Sequence, residues 1–466
     1  MGTRIRRILA ILYPCAAFLL PLQTRWIVRE ARVGWSIWEY GRISLYGFDI
    51  VLLLVGAMVV WIIARSITRP LSASVRWLWL FIFVFILYEL FVSLDPFLTA
   101  VVLARVGLGC ITAWFLITHC DGLIIRHTLG AFVIAVVISA GLGALQFFVQ
   151  DSLIASKWLG IAWQDPGTLG VSVVEHNGGR WLRAHGTMPH PNALGGFSAL
   201  GLMVFLMLIT ARRTVATGPL RLRISEASRG LLLQGWPRFC RNILFMLAPL
   251  ILIAGIITSA SRAALISAFL GIVLFAFLRR KELVRHAPLL GVGILGACMI
   301  FFVSFPFLSP RFTAQGRLEA LSIQRRLTAF SEARVLVRNY GALGTGMGTY
   351  TLALQTIFPE KPIWDQQPVH NVPLLLLVEM GLGGLCLLGL GLVLWVKVQS
   401  PKSKVQNKFK SSNFKIFLPV MVCWSTLAML DHYIWTLPAG LYLSIFLWWI
   451  VLYGMRINPV VVIEAR

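Results

Sequence analysis

The stretch Thr128–Val149, TLGAFVIAVVISAGLGALQFFV, carries no acidic or basic residue. About 20 consecutive apolar residues in a helix cross the roughly 30 Å hydrocarbon core of a bilayer, so this stretch predicts a membrane span. Working outward, similar runs recur near 7–23, 44–64, 76–94, 97–118 and 192–211, then near 243–260, 262–278, 287–307, 372–396, 414–431 and 436–454. Together they predict about twelve helices. In lipid every backbone polar group must be satisfied within the fold, and these runs lack the period-two alternation of a barrel strand. The composition agrees, because 58% hydrophobic and 13% charged residues leave too little polar material to cover a water-soluble fold of 466 residues. The fold class expected is all-α, one polytopic membrane domain over residues 1–466.

A net charge of +24 could suggest a nucleic-acid partner. Sorting the cations by alternate connections removes that reading. With the amino terminus in the cytoplasm, Arg4, Arg6, Arg7, Arg65, Arg69, Arg76 and Arg126 fall on the inner side. So do the cluster from Arg212 to Arg241, Arg279-Arg280-Lys281-Arg285, the lysines from Lys397 to Lys415, and Arg456. This is the positive-inside asymmetry of a membrane protein. Both termini are expected in the cytoplasm, with no nucleic-acid partner. The first run follows Arg4-Ile5-Arg6-Arg7 and lacks a small-x-small cleavage signal, so it is expected to be the first helix. The seven cysteines avoid the large outer connections and form no CxxC, which argues against a disulfide framework and a zinc site.

Two outer connections are long, 150–191 and 308–371. A third, 24–43, alternates Trp26, Trp35, Trp38 and Tyr40 with arginines and reads as a segment at headgroup level. The first long connection ends in Arg183-Ala184-His185-Gly186-Thr187-Met188-Pro189-His190-Pro191-Asn192, where Pro191 and Asn192 suit a turn and a helix start. His185 and His190 lack helical metal-ligand spacing and have no carboxylate beside them. In the second, Gly316–Tyr340 predicts a helix with Leu318, Leu321, Arg325, Ala329, Ala333, Leu336 and Tyr340 in one row. Arg326 shares the neighbouring row with Phe330, Ala333 and Val337, at the edge of the apolar face, and is expected to reach the membrane surface or a cavity between helices. Gly344-Thr345-Gly346-Met347-Gly348 resembles a phosphate loop only superficially, because no Gly-Lys-Ser/Thr follows.

His370-Asn371 closes this connection just before an apolar run that contains Glu379. Arg183, Arg326 and Arg262 are expected on the same side of the membrane. Cations on a diphosphate and one base of near-neutral pKa are what glycosyl transfer from a lipid diphosphate requires. His432, in Asp431-His432-Tyr433-Ile434-Trp435, places a second imidazole at the same interface, for hydrogen bonding, for orienting a helix, or as part of an aromatic anchor.

Arg183-x-x-Gly186 before Pro191-Asn192, Ser261-Arg262, Arg326-Leu327-x-x-Phe330-x-x-Ala333, Gly344-x-Gly346-x-Gly348, His370-Asn371 and Glu379-x-Gly381-Leu382-x-Gly384 follow one another between about 180 and 385. In order and spacing they resemble the O-antigen ligase and O-antigen polymerase superfamily, although Phe330 stands where tryptophan is common. The resemblance implies a GT-C-like enzyme of the bacterial inner membrane, working at the periplasmic face. It implies transfer of a glycan from an undecaprenyl diphosphate carrier to a lipid or glycan acceptor. By the same resemblance Arg183 and Arg326 hold the diphosphate and His370 activates the acceptor, with Arg262, Arg325, Asn192, Asn371, Glu379 and His432 in support. Arg325 beside Arg326 leaves that choice open at this stage.

No cofactor or metal is expected. Mg²⁺ and Mn²⁺ take hard oxygen ligands, yet no Asp-x-Asp or Glu-x-Asp occurs in the chain. Arginine can serve in their place, since its planar fork binds phosphate oxygens bidentately and keeps its charge. A twelve-helix transporter is the competing class. Against it, ionisable residues gather in outer loops, with Glu89 and Arg105 the few exceptions within spans. Ligase and polymerase share a donor and differ in acceptor, and ligation is the favoured expectation.

Overall fold

The structure is a computed structural model, and it describes residues 3–66, 73–176, 178–214, 238–280, 287–313, 317–399 and 411–454. Helices dominate it: α1 (Thr3–Leu19), α2 (Gly47–Ser66), α3 (Ala73–Val92), α4 (Pro96–His119), α5 (Gly122–Val149), α6 (Pro191–Thr214), α7 (Arg238–Thr258) and α8 (Arg262–Leu278). They continue as α9 (Ala287–Thr313), α10 (Arg317–Tyr340), α11 (Tyr350–Ile357), α12 (Val372–Gln399), α13 (Ser411–Leu430), α14 (Tyr433–Thr436) and α15 (Pro438–Gly454). Each expected apolar run falls in a helix, and α10, α11 and α14 lie in the connections. The middle of the cluster from Arg212 to Arg241, residues 215–237, the segment 281–286 and the lysines within 401–410 lie outside the described residues.

Among the described residues, six helices, α2 to α6 and α12, are long and apolar enough to cross a membrane. Their packing shows what surrounds them. In the span of α6, 83% of residues are buried inside the protein, against 6% for the equally apolar α3. A helix that is apolar all round yet almost wholly uncovered belongs in lipid. This is a mostly helical, polytopic membrane protein. α6 is its central helix, with α5, α7, α8 and α13 packed around it and α1 on the far side of α5. Tight turns join α3 to α4 and α4 to α5, because Asp95 and Asp121 cap the following helices, Asp95 accepting from Leu98 N at 3.0 Å and Asp121 from Ile124 N at 3.0 Å.

The helical expectation holds, with short two-stranded ribbons added in the connections 24–43 and 150–191. β1 (Arg25–Arg29) pairs antiparallel with β4 (Ile43–Tyr46), β2 (Arg32–Val33) with β3 (Ser36–Ile37), and β5 (Val173–His176) with β6 (Gly179–Leu182). The segment expected at headgroup level is a β-ribbon. Its first strand, Arg25-Trp26-Ile27-Val28-Arg29, is built on the strand-favouring Trp, Ile and Val, and Gly34 makes the tip with φ of +56°. Three of its arginines are paired: Arg25 with Glu39, Arg42 with Glu30 and Glu39 at 2.9 Å each, and Arg29 with Asp95 at 2.5 Å. The ribbon is thereby tied to the start of α4.

The glycine motif has a structural explanation. α12 breaks at Gly381, whose φ is +63° and ψ 177°. The freed backbone of that break receives the loop after α10. Thr345 N and Gly346 N donate to Glu379 O at 2.9 and 2.8 Å, while Leu382 N and Gly383 N donate to Gly341 O and Ala342 O at 2.8 and 3.0 Å. A Cβ on Gly344 or on Gly381 would overlap the backbone of the other segment. Glycine is required by this close approach, and the two motifs form one joint.

Candidate active site

Polar groups gather where α6 begins, α13 ends and α12 begins. Asp431, only 2% exposed, is the hub. One of its oxygens accepts from His432 N at 2.9 Å and the other from Asn192 Nδ2 at 2.8 Å. Asn192 in turn accepts from Arg183 Nη2 at 2.8 Å through its carbonyl oxygen. These two bonds fix which way the amide faces. Arg183 Nε donates to Ser259 O at 2.9 Å, in the turn that opens α8, and Ala184 N donates to Thr258 O at 3.1 Å. Residues 183, 192 and 431 thus form one relay across three connections.

His370 and His432 stand edge to face, their ring centroids 5.1 Å apart. His432 Nδ1 meets Thr436 Oγ1 at 2.8 Å, whereas His370 Nδ1 is buried and has no hydrogen-bond partner. An orphaned imidazole nitrogen at the centre of a polar cluster is a group awaiting a ligand or a proton. Arg326 Nη1 donates to Leu430 O, 3.4 Å away, next to Asp431. Arg325 turns the other way, pairing with Asp365 at 3.4 Å and lying over the Trp364 ring at 5.7 Å, with 61% of its side chain exposed. Neighbours in sequence have separate tasks here because successive helix positions point about 100° apart.

The helix start at α6 adds to the cluster. His190 Nδ1 accepts from Asn192 N at 3.1 Å, and His190 O receives Ala193 N and Leu194 N. These contacts cap the helix and leave its positive end facing the cluster, as suits an anion. His190 keeps accessible surface beside this helix start. α6 enters this close because Gly196 has no side chain: a Cβ there would overlap the Tyr433 hydroxyl.

The electrostatics follow from burial and these neighbours. Burial pushes the pKa of His432 down to about 3, helped by His370 and Arg326 and opposed by Asp431. His370 is likewise lowered by burial, with Asp431 raising it and Arg326 lowering it. His190 falls well below the usual value through burial and Arg183. For Asp431, burial alone would raise the pKa, but His370, His432 and Arg326 outweigh it and hold the carboxyl below its ordinary value. At neutral pH the cluster therefore holds neutral imidazoles and one carboxylate between two guanidiniums. His370, Asp431 and His432 also present possible metal-ligand atoms, within 4.8 Å of one another. Both Asp431 oxygens already accept hydrogen bonds, however, and the two arginines make the surroundings positive, so the arrangement suits an anion better than a dication.

Of the residues singled out in the sequence, the fold brings together Arg183, Asn192, Arg326, His370 and His432. Others it uses elsewhere. Arg262 pairs with Glu319 at 2.7 Å, fastening α8 to α10. Asn371 caps α12, accepting from Leu374 N at 2.9 Å, and donates to Met429 O at 3.0 Å. Glu379, 2% exposed, accepts from Trp435 Nε1 at 3.2 Å and Tyr350 N at 3.4 Å, so it secures the joint behind the cluster. Asp431 and His190 are the members that the sequence did not single out as site residues. The available signal was an acidic residue held at a membrane edge directly beside a histidine. A separate apolar hollow, lined by Tyr13, Leu52, Phe132 and Tyr442, lies among the helices away from this cluster.

A lipid-embedded helical bundle with a histidine-containing polar cluster at one end of its central helix defines the class. It is that of a polytopic membrane protein whose interacting polar groups gather at a helix end. Residues 247–389 match the Wzy_C family, described as O-antigen ligase, and that match supports the resemblance to the O-antigen ligase and O-antigen polymerase superfamily. Among curated proteins the chain finds no match. The family region includes Arg262, Arg326, His370 and Glu379, while Arg183, Asn192, Asp431 and His432 lie outside it.

Proposed function

We propose that the protein is an O-antigen ligase, a GT-C-like glycosyltransferase of twelve membrane spans in the bacterial inner membrane. Its termini lie in the cytoplasm, and the connections 150–191 and 308–371 lie in the periplasm. It moves a glycan from undecaprenyl diphosphate to an acceptor hydroxyl on lipid A core or a similar terminal acceptor. The observation that carries this reading is the relay Arg183–Asn192–Asp431 meeting His370, His432 and Arg326 at one helix end.

In the reaction His370 accepts the proton of the acceptor hydroxyl. The oxygen then bonds to the anomeric carbon as the bond from that carbon to the diphosphate breaks. Arg183, Arg326 and the start of α6 take up the negative charge that grows on the leaving diphosphate, contributing about 3 kcal/mol for each well-aimed donor. Asp431 steadies the protonated imidazole, and Asn192 keeps Arg183 and Asp431 in register. The neutral state of His370 at pH 7, favoured by burial, is the form a base requires.

The test uses membranes carrying the full chain and a diphosphate-linked oligosaccharide, with consumption of the donor followed over time. The substitution His370→Ala is expected to slow it by roughly 10²- to 10⁴-fold. A variant as fast as the wild type would exclude His370 as the base. One transfer to a different acceptor is the ligase result, a ladder of carrier-linked products would show a polymerase, and movement of uncleaved donor across vesicles would show a transporter.

A further inference from the structure

The ribbon β1–β4 does not stand apart from the polar cluster. β3 packs against the turn Ile363–Asp365, which lies between α11 and His370. Three residues beyond β3, Tyr40 in the turn Glu39–Gly41 sets its ring edge-on to His432, with centroids 6.3 Å apart. Tyr40, His432 and His370 therefore form a row of three rings running from the ribbon to the orphaned nitrogen. At the outer end of the row the rims carry uncovered indoles: Trp35, 97% exposed at the ribbon tip, and Trp364, 65% exposed in the turn that β3 touches.

We infer that the ribbon and the turn Ile363–Asp365 form the saccharide subsite for the acceptor, with Tyr40 and Trp364 stacking against sugar rings on their way to His370. The inference rests on the glycosyl-transfer reading above. Its chemistry is that of carbohydrate recognition, in which C–H faces of a pyranose lie on aromatic rings while hydroxyls meet polar groups. Tyr40 offers both, since its phenol lies within electrostatic reach of Asp431. The ribbon is suited to hold such a surface, because the Arg25, Arg29 and Arg42 ion pairs fix its shape before a sugar arrives. The donor, by contrast, is held at its diphosphate by Arg183 and Arg326, so changes in the ribbon act on one substrate and spare the other.

Two measurements on the purified full chain test this. The first is steady-state kinetics with a carrier-diphosphate oligosaccharide as donor and, in separate arms, lipid A core or a second carrier-linked repeat as acceptor. The substitutions Tyr40→Ala and Trp364→Ala are expected to raise the acceptor KM roughly three- to tenfold and leave the donor KM within about twofold. Tyr40→Phe, which keeps the ring, should stay near the wild type. The arm in which the KM rises identifies the source of the acceptor sugar. The second measurement is saturation-transfer NMR with free core oligosaccharide, irradiating aromatic protons. Transfer to the sugar protons is expected in the wild type and in Tyr40→Phe, and to be lost in Tyr40→Ala. It needs no turnover, so it separates failure of this inference from failure of the ligase reading. Unchanged KM values, or equal rises for donor and acceptor as expected of rings that only seat the ribbon in lipid, would overturn it, as would absence of transfer in the wild type with both acceptors.

Discussion

Asp431 raises the pKa of His370 and Arg326 lowers it, which gives the two charges opposite signatures in a pH profile. With its folded pKa below the usual value near 6.5, His370 stays unprotonated into mildly acidic solution, and activity is lost only as pH falls through the lowered pKa. The acid limb of kcat/KM is therefore expected below about pH 6.5. Asp431→Asn, which keeps an acceptor for Asn192, should move the limb to lower pH, and Arg326→Gln should move it to higher pH. Shifts in the same direction would show that the limb does not report His370. Asn192→Ala removes the bridge between Arg183 and Asp431 and leaves both short of a partner. A drop in kcat of about 10²-fold is expected, the scale of a misplacement near 1 Å.

At the scale of elements, the joint between the α12 break and the loop after α10 sets the position of His370, which lies just before α12. Gly381→Ala puts a methyl group against the backbone at Gly344, at a φ of +63° where a side chain is itself strained. A loss of about 1–3 kcal/mol is expected, read as a lower midpoint of thermal unfolding in detergent. Gly391→Ala lies in the same helix and would meet only the Phe81 ring. It should cost less, and equal losses would argue against the joint. Gly196→Ala should act on the site directly, since the added methyl group displaces Tyr433, next to His432; turnover falls while the protein stays folded.

For the whole molecule, the proposed binding of diphosphate by guanidinium groups makes a prediction about metals. Turnover should be unchanged by EDTA. Inhibition by EDTA that Mn²⁺ reverses would overturn the assignment of arginine to the role of the metal. The expected orientation is open to a separate check. Reporters fused at both termini should be active only on the cytoplasmic side, while a cysteine placed at Trp158, 82% exposed, should react with an impermeant thiol reagent added from the periplasm.

The order of apolar runs was enough to set the helical membrane fold, because crossing hydrocarbon demands length and apolarity, and both are written locally along the chain. Arg183, Arg326 and His370 were singled out by their places in the two long connections and by the family resemblance, and the fold brings Arg183 and Arg326 to the neighbourhood of Asp431 and sets His370 beside His432. The ribbon was missed because β1 has only five residues and no period-two alternation, and its arginines and tryptophan also suit a headgroup layer. Only the tertiary structure decided that Asp431 joins the cluster, that Arg325 leaves it, and that Arg262 and Glu379 serve as fasteners. Those assignments depend on which helix ends meet in space and on which way each side chain leaves its helix. A pairing such as Asn192 with Asp431, 239 residues apart, leaves no local mark in sequence.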